Sequence, residues 1–461
     1  MWNLTATEMA AAVRSGEHTA AEVIEAHLER IAIVNPAINA VTAVLADSAR
    51  AAAADIDRRR AAGEPLGPLA GVPFTAKENI DIAGAATTHG VPRFRDAFAD
   101  TDSPTVARLR AADAIPIGHA NMPDLTIGGY TDSQLFGATV NPWGAIRDPS
   151  GSSGGDGAAV ASGMAAIGLG NDAGGSVRGP ALNGGITALN PTYGRFPCEH
   201  RVGGREPTLA SQLIPKDGPL TRTVADLRAA FEVLAGTDPR DPRSVPAPLD
   251  GPPLPAPRVA IVADPGGFGA HPRVRAAIDK AAGILADAGY VVETADVPEV
   301  AEGLATYGTL ITSEFGSAWP NIRPLLTEHS ARHMELSMRS QPPADLATYL
   351  RATADRYAIT RAWHQFLADY PLVLGPVSTE PPADHGELDE DENARLAIAR
   401  RLCTVSSLVG VPAVAVPTGL DDGVPMGVQL IGRPFREDLC LTAAAAVEAA
   451  TGVLTPVYEA A

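Results

Sequence analysis

Three short stretches of the chain carry groups that could transfer an acyl group. The first holds Lys77 inside Gly71-Val72-Pro73-Phe74-Thr75-Ala76-Lys77-Glu78-Asn79-Ile80, a run apolar enough to form a buried strand. The second is Gly151-Ser152-Ser153-Gly154-Gly155-Asp156-Gly157, and the third is Asp172-Ala173-Gly174-Gly175-Ser176-Val177-Arg178. Glycines directly before a serine let the backbone crowd a substrate, and successive N–H groups there can form an anion-binding nest. Acyl transfer needs that combination, because the developing oxyanion must be met by fixed donors. Ser176 is the candidate nucleophile. No histidine with an evident acidic partner accompanies it, so a desolvated Lys77 is the candidate base. Only Lys77, Lys216 and Lys280 occur, so Arg supplies 33 of the 36 basic residues, and a lysine can mark a task that arginine cannot do. Lys280 shares helical spacing with Val274, Ile278, Ala281 and Leu285 and reads as solvated, while Lys216 precedes Asp217-Gly218-Pro219 and reads as part of a turn.

Other chemistries fit the spacing less well. Neither glycine cluster continues as Gly-Lys-Ser/Thr, so a Walker-type phosphate loop fails, and Gly267-Phe268-Gly269 lacks the third glycine of a dinucleotide fingerprint. Gly151-x-Ser153-x-Gly155 matches a nucleophile elbow in form, but Asp148-Pro149-Ser150 before it is turn chemistry where a strand is required. His329 and His333 lie one helical turn apart without the His-Glu-x-x-His order or a third ligand, which favours a polar helix face over a metal site. Either Gly/Ser cluster taken alone could be no more than a tight loop.

The elements that must position these groups follow from the rest of the chain. A length of 461 residues with 45% hydrophobic and 20% charged residues supports a large globular core. The net charge of −18 repels phosphate backbones and anionic lipid, which argues against nucleic-acid and membrane partners. Cys198, Cys403 and Cys440 are too few and scattered for a disulfide framework or a zinc cluster, and neither a signal peptide nor a membrane span is visible. A cytoplasmic protein is expected. Thr5-x-x-Glu8 and Thr19-x-x-Glu22 have capping-box spacing and predict two helices, the second ending at Asn35-Pro36. A third helix is expected over about 45–62, and short apolar runs from 67 to about 197 have the style of an α/β core with functional loops. Pro239 to Pro257 reads as a loop, Val259–Val262, Pro272–Ala288 and Val291-Val292 as strand, helix and strand, and 309–370 as helical. Leu372-Val373-Leu374 and Val414 to Val416 read as buried strands, and Glu387 to Glu392 as a solvated acidic loop.

Taken together, the segments resemble the amidase-signature family of serine hydrolases. Gly71 to Lys77 resembles its lysine segment, and Asn121-Met122-Pro123, Asn141-Pro142-Trp143 and Gly151 to Gly155 resemble the stations that follow. Gly170 to Arg178 resembles the nucleophile segment, followed by Pro191-Thr192-Tyr193-Gly194-Arg195, Gly218-Pro219-Leu220, Gly410-Val411-Pro412 and Gly427-Val428-Gln429. The stretch Thr19 to Val41 is similar too. The resemblance implies one α/β domain over 1–461, with a twisted mixed β-sheet covered by α-helices on both faces and a signature core at about 67–230. It implies a catalytic set of Lys77 as base, Ser152 as a bridging serine on a cis peptide and Ser176 as nucleophile. Ala173, Gly174, Gly175 and Ser176 would supply the oxyanion hole, with Ser153, Asp172 and Arg178 in support.

The implied reaction is hydrolysis of a carboxamide C–N bond through a seryl acyl-enzyme, with anilide, ester and carbamate cleavage chemically close. It needs water and a small-molecule amide but no metal or organic cofactor, and a monomer or homodimer is expected. Two alternatives stand beside it: the A-type subunit of a glutamine-dependent amidotransferase, and a carboxamide-binding protein without turnover. Three departures from the family pattern occur: Ser150 for Gly, Asp156 for Ser, and Asn190 for Lys. Met122, Tyr130, Phe196 and the helical region from Tyr307 to Tyr370 are candidate pocket walls. With few lysines and only Arg178 beside the motif, a neutral or aromatic substrate is expected.

Overall fold

The computed structural model describes residues 1–384 and 388–456. Its strands in chain order are β1 (Val41–Val44), β2 (Pro73–Lys77), β3 (Ile115–Ala120), β4 (Asp132–Ser133), β5 (Gly137–Ala138), β6 (Ile167–Asp172) and β7 (Thr187–Asn190). They continue with β8 (Lys216–Thr221), β9 (Arg258–Ile261), β10 (Val291–Thr294), β11 (Leu372–Gly375), β12 (Ala413–Asp421) and β13 (Val424–Gly432). Apart from the β4–β5 hairpin they form one mixed sheet in the order β1-β3-β2-β6-β8-β7-β12-β13-β11-β9-β10. β2 runs parallel to both β3 and β6, so the lysine strand lies between two neighbours of the same direction, while β6 pairs antiparallel with β8.

Side chains alternate along a strand, and here the alternation sorts them into two cores. Val259, Leu372, Leu374, Val414, Val416, Val428 and Leu430 join one apolar cluster with the helices Ala20–Ile38, Pro272–Asp287 and Glu437–Thr451. Their neighbours Ala260, Val373, Ala413 and Ile431 join another, with the helices Val300–Ile322, Leu346–Asp369 and Arg401–Val409. Both faces of the sheet are thus covered by helices.

Local chemistry sets most of the helix starts. The helices Ala6–Ser15 and Ala20–Ile38 begin at Thr5 and Thr19, each with both halves of the capping box made. The second helix runs past Asn35-Pro36 to Ile38, beyond the expected stop. Asn35 Oδ1 accepts from the N–H groups of Ala40 and Val41 at 2.9 and 2.8 Å, which ties the last turn to β1, and Asn39 ends the helix at φ +56°. The acidic run also departs from expectation. Glu390, Asp391 and Glu392 form the first turn of the helix Glu390–Ala399, where negative charge is favoured by the helix dipole, and Asp389 caps it; Glu387 lies outside the described residues.

Lys216 is not in a turn. It opens β8, and all six residues of that strand are buried. Asp217 is satisfied by Thr105 Oγ1 at 2.8 Å and His200 Nε2 at 2.8 Å, so polar partners replace the water that a turn would need. Gly218 fits because a Cβ there would collide with Leu189 O on β7. Gly218→Ala is therefore expected to destabilise the protein by about 2 kcal/mol through overpacking, read as a lower denaturant midpoint at unchanged m-value.

Candidate active site

β2 places Phe74 and Ala76 in the apolar core and Thr75 and Lys77 on the opposite side. Lys77 is fully buried, and its Nζ donates to Ser152 Oγ at 2.7 Å and to Asn171 Oδ1 at 2.8 Å. Asn171 comes from the adjacent strand β6, and its amide is oriented by Nδ2 donating to Asn79 Oδ1 at 2.9 Å. Burial pulls the Lys77 ammonium down from 10.5 to about 7, against the opposing pull of Asp156, Asp172 and Asp217. Glu78 looks elsewhere, as strand alternation predicts, and accepts from the hydroxyls of Thr42 and Thr88.

Ser152 lies at the head of a tight loop in which the Gly151–Ser152 peptide is cis. Ser153 joins the two candidate loops: its N–H donates to Ser176 O at 3.1 Å and its hydroxyl to Asn171 O at 3.3 Å. Burial decreases from Lys77 and Ser152, both buried, to Ser176, which is partly exposed. Ser176 is thus the member open to a substrate. Among the described residues no hydrogen bond joins Ser176 Oγ to Ser152 Oγ, and such contacts commonly tighten only in the substrate complex.

The Ser176 loop is held from behind by a buried ion pair. Arg178 Nε and Nη2 donate to the two oxygens of Asp172 at 3.0 and 2.9 Å. The same guanidinium reaches Ser406 Oγ, Ser407 Oγ and Gln429 Oε1, each at 2.8 Å, and Cys403 O at 3.0 Å. Burial alone would raise the Asp172 carboxyl, but the Arg178 charge and hydrogen bonds outweigh it and hold the group well below the usual carboxylate range. Gly175 differs from the expected oxyanion role: its N–H donates to Asp172 Oδ1 at 2.7 Å, so it is spent on fixing the loop. Gly175 also has φ +113°, a backbone state that favours glycine.

Of the expected pocket walls, Tyr130 stands at the site. A Cβ on Gly151 would lie 3.0 Å from its backbone N, and its ring tilts against His329 at 5.7 Å. Phe196 does not reach the site: it belongs to the main apolar core and packs on Phe231 with ring centroids 6.2 Å apart. Met122 is buried with no exposed surface and likewise offers no wall. Tyr307 and Thr404 approach Gly174 instead, with Tyr307 Oη 3.2 Å from where a Cβ would sit.

Three participants are not legible in the motif. Asn171 passes for part of a glycine-rich strand. Gln429 holds Arg178 from a strand far along the chain. Asp156 flanks the loop in the sequence, yet its first oxygen accepts from Thr75 Oγ1 at 2.8 Å while the second is buried without a partner. Burial raises its carboxyl, opposed by the Thr75 hydrogen bond and by Lys77. A further grouping, Cys198, His200 and Asp217, lies within 4.8 Å, with His200 and Asp217 paired as described.

Comparison with known proteins agrees with this geometry. The amidase family model matches residues 22–441. An indoleacetamide hydrolase from Bradyrhizobium diazoefficiens is 40% identical over 459 residues, 98% of this chain and 88% of that protein. The A-type subunit of the glutamyl-tRNA(Gln) amidotransferase from Symbiobacterium thermophilum is 35% identical, over 95% of this chain and 94% of its own. Among solved structures, 6-aminohexanoate cyclic dimer hydrolase superposes with a TM-score of 0.83 at 28% identity, covering 98% of this chain and 97% of that one. The chain belongs to the amidase family, with the amidase-signature fold, and is an amide C–N hydrolase.

Because the chain has only three lysines, side-chain NMR of lysine-labelled protein can follow Lys77 directly. The Asp156 carboxylate opposes the loss of the Lys77 proton, so Asp156→Asn is expected to move the Lys77 midpoint below its parental position near pH 7. An unmoved or raised midpoint would show that the two groups do not interact.

Proposed function

We propose that Ser176 is the nucleophile of this amidase, Ser152 the proton bridge and Lys77 the general base. The observation that carries the reading is the 2.7 Å contact between Lys77 Nζ and Ser152 Oγ, both of them buried. With Lys77 neutral, Ser152 passes its hydroxyl proton to Nζ and takes the proton of Ser176 as Ser176 Oγ bonds to the amide carbonyl carbon. The oxyanion is met by the N–H groups of Ala173, Gly174 and Ser176. Collapse of the tetrahedral species breaks the C–N bond, and the relay runs in reverse to protonate the leaving amine. Water then attacks the acyl-enzyme, gives up its proton by the same route, and releases the acid and free Ser176.

Asp172 and Arg178 serve by holding the loop, and Ser153 by tying it to the Ser152 turn. The relay uses no metal or organic cofactor. The partners are a small-molecule amide and water, in a monomer or homodimer. The three cysteines are free and buried, which suits a reducing cytoplasm, and among the described residues no helix is long and apolar enough to cross a membrane.

The test separates the two serines. Ser176→Ala is expected to abolish both amide turnover and labelling by a covalent serine probe, a loss of at least about a thousandfold, while Ser153→Ala keeps both. Labelling that survives in Ser176→Ala and disappears in Ser153→Ala would make Ser153 the nucleophile.

A further inference from the structure

The expectation of a neutral substrate rests on Arg178 as the one arginine near the motif, but Arg178 is enclosed behind the loop and fully engaged. A different arginine reaches the turn that carries Ser152. Arg400 stands at the junction of the helices Glu390–Ala399 and Arg401–Val409, more than 220 residues beyond Ser176 in the chain. Its Nη1 donates to the carbonyl of Gly151, the first half of the cis peptide, at 2.9 Å, and its Nη2 donates to Ser150 Oγ at 2.6 Å. Gly151 adjoins Ser152.

The loops around Arg400 are cut to its shape. A Cβ added at Gly175, next to Ser176, would sit 3.5 Å from Arg400 Cδ. One at Gly179 would sit 3.0 Å from Cζ, and one at Gly129, beside Tyr130, 3.6 Å from Nη1. Gly179 therefore leaves room for the guanidinium, while Gly175 and Gly129 lie at van der Waals distance from the same side chain. Ser150, a departure from the family pattern, takes φ +66° and accepts a hydrogen bond from it. The position is built, and it borders both candidate serine loops.

Charge is the second observation. Neighbouring arginines carry carboxylate partners: Arg178 has Asp172, Arg395 has Glu392, and Arg401 has Asp264. Arg400 is half-buried and forms no ion pair with any described residue, in a chain with 54 acidic and 36 basic residues. Its two acceptors are neutral, and a guanidinium has five N–H donors, so three remain. A partly desolvated cation without a counterion favours an anion that arrives, and a carboxylate matches the planar fork of arginine.

We infer that Arg400 binds a carboxylate of the substrate, so that the amide cleaved here carries an acidic group close to the reacting carbonyl, as in the monoamide of a short diacid. This rests on the reading of Ser176 as nucleophile. It assigns Arg400 as a specificity-determining residue, with Ser150 and Gly151 O holding the guanidinium in place.

The test compares malonamate and succinamate with their neutral isosteres 3-methylbutanamide and 4-methylpentanamide in the parent, Arg400→Lys and Arg400→Met. The parent is expected to favour the acidic amides in kcat/KM, with the ratio of acidic to neutral falling about 100-fold in Arg400→Met and about 10-fold in Arg400→Lys, chiefly through KM. A parental preference for the neutral amides, or a ratio that Arg400→Met leaves unchanged, overturns the assignment and makes Arg400 a brace for the loop. A binding measurement needs no turnover: malonate and succinate should bind Ser176→Ala by calorimetry, and Ser176→Ala with Arg400→Met should bind neither. Absence of binding to Ser176→Ala also counts against the carboxylate site. If the parent neither labels at Ser176 nor cleaves any of the four amides, while dicarboxylate binding still depends on Arg400, the nucleophile reading fails and the anion site stands.

Discussion

Keeping the amine of Lys77 out of water is the constraint on which the site depends. An ammonium in a buried strand is expensive, and the surroundings meet that cost with a serine hydroxyl and an asparagine carbonyl in place of a paired carboxylate. A strong ion pair would have fixed the proton on nitrogen. The acidic groups that influence Lys77 are mostly engaged elsewhere: Asp172 by Arg178, and Asp217 by Thr105 and His200. Asp156 is the exception, with one free oxygen and a raised carboxyl, so it opposes the loss of the lysine proton without forming a full ion pair.

The sheet supplies the rigidity that this arrangement needs. β2 delivers Lys77 and β6 delivers Asn171 and Asp172, and the two strands are parallel neighbours, so both sets of groups emerge at the same edge. The Ser176 loop leaves β6 directly, and the Asp172–Arg178 pair fastens it to the helix Arg401–Val409 and to β13. Removing one partner of such a pair leaves a buried charge uncompensated, so loop and sheet are coupled energetically as well as in space. The helix Arg401–Val409 then has two uses: its interior steadies Arg178, and its start carries Arg400 to the Gly151–Ser152 turn.

Much of this is legible in the sequence because local chemistry decides it. The capping boxes at Thr5 and Thr19 form as their spacing requires, and the apolar run ending at Lys77 is a buried strand. The family resemblance carries the fold, because glycine positions in the loops are set by backbone approach and survive as a pattern. What escapes is decided by contacts far apart in the chain. Lys216-Asp217-Gly218-Pro219 has turn composition, yet pairing with β6 and polar partners for Asp217 make it a strand. Phe196 follows a family motif but turns into the core, and Arg400 lies in an unremarkable helical stretch that acquires meaning only beside Gly151 and Gly175. Gly175, placed in the oxyanion hole by its motif, is claimed by a carboxylate three residues earlier.

The central claim is that Lys77 moves protons instead of merely filling a buried site. Arginine has similar size and the same charge but keeps its proton at any working pH. The direct measurement is the pH profile of kcat/KM for the parent and for Lys77→Arg. The parent should rise through an ionisation near pH 7 to an alkaline plateau, and the variant should lie at least about a hundredfold lower throughout. Near-parental rates in Lys77→Arg would contradict the account and leave the lysine a structural role.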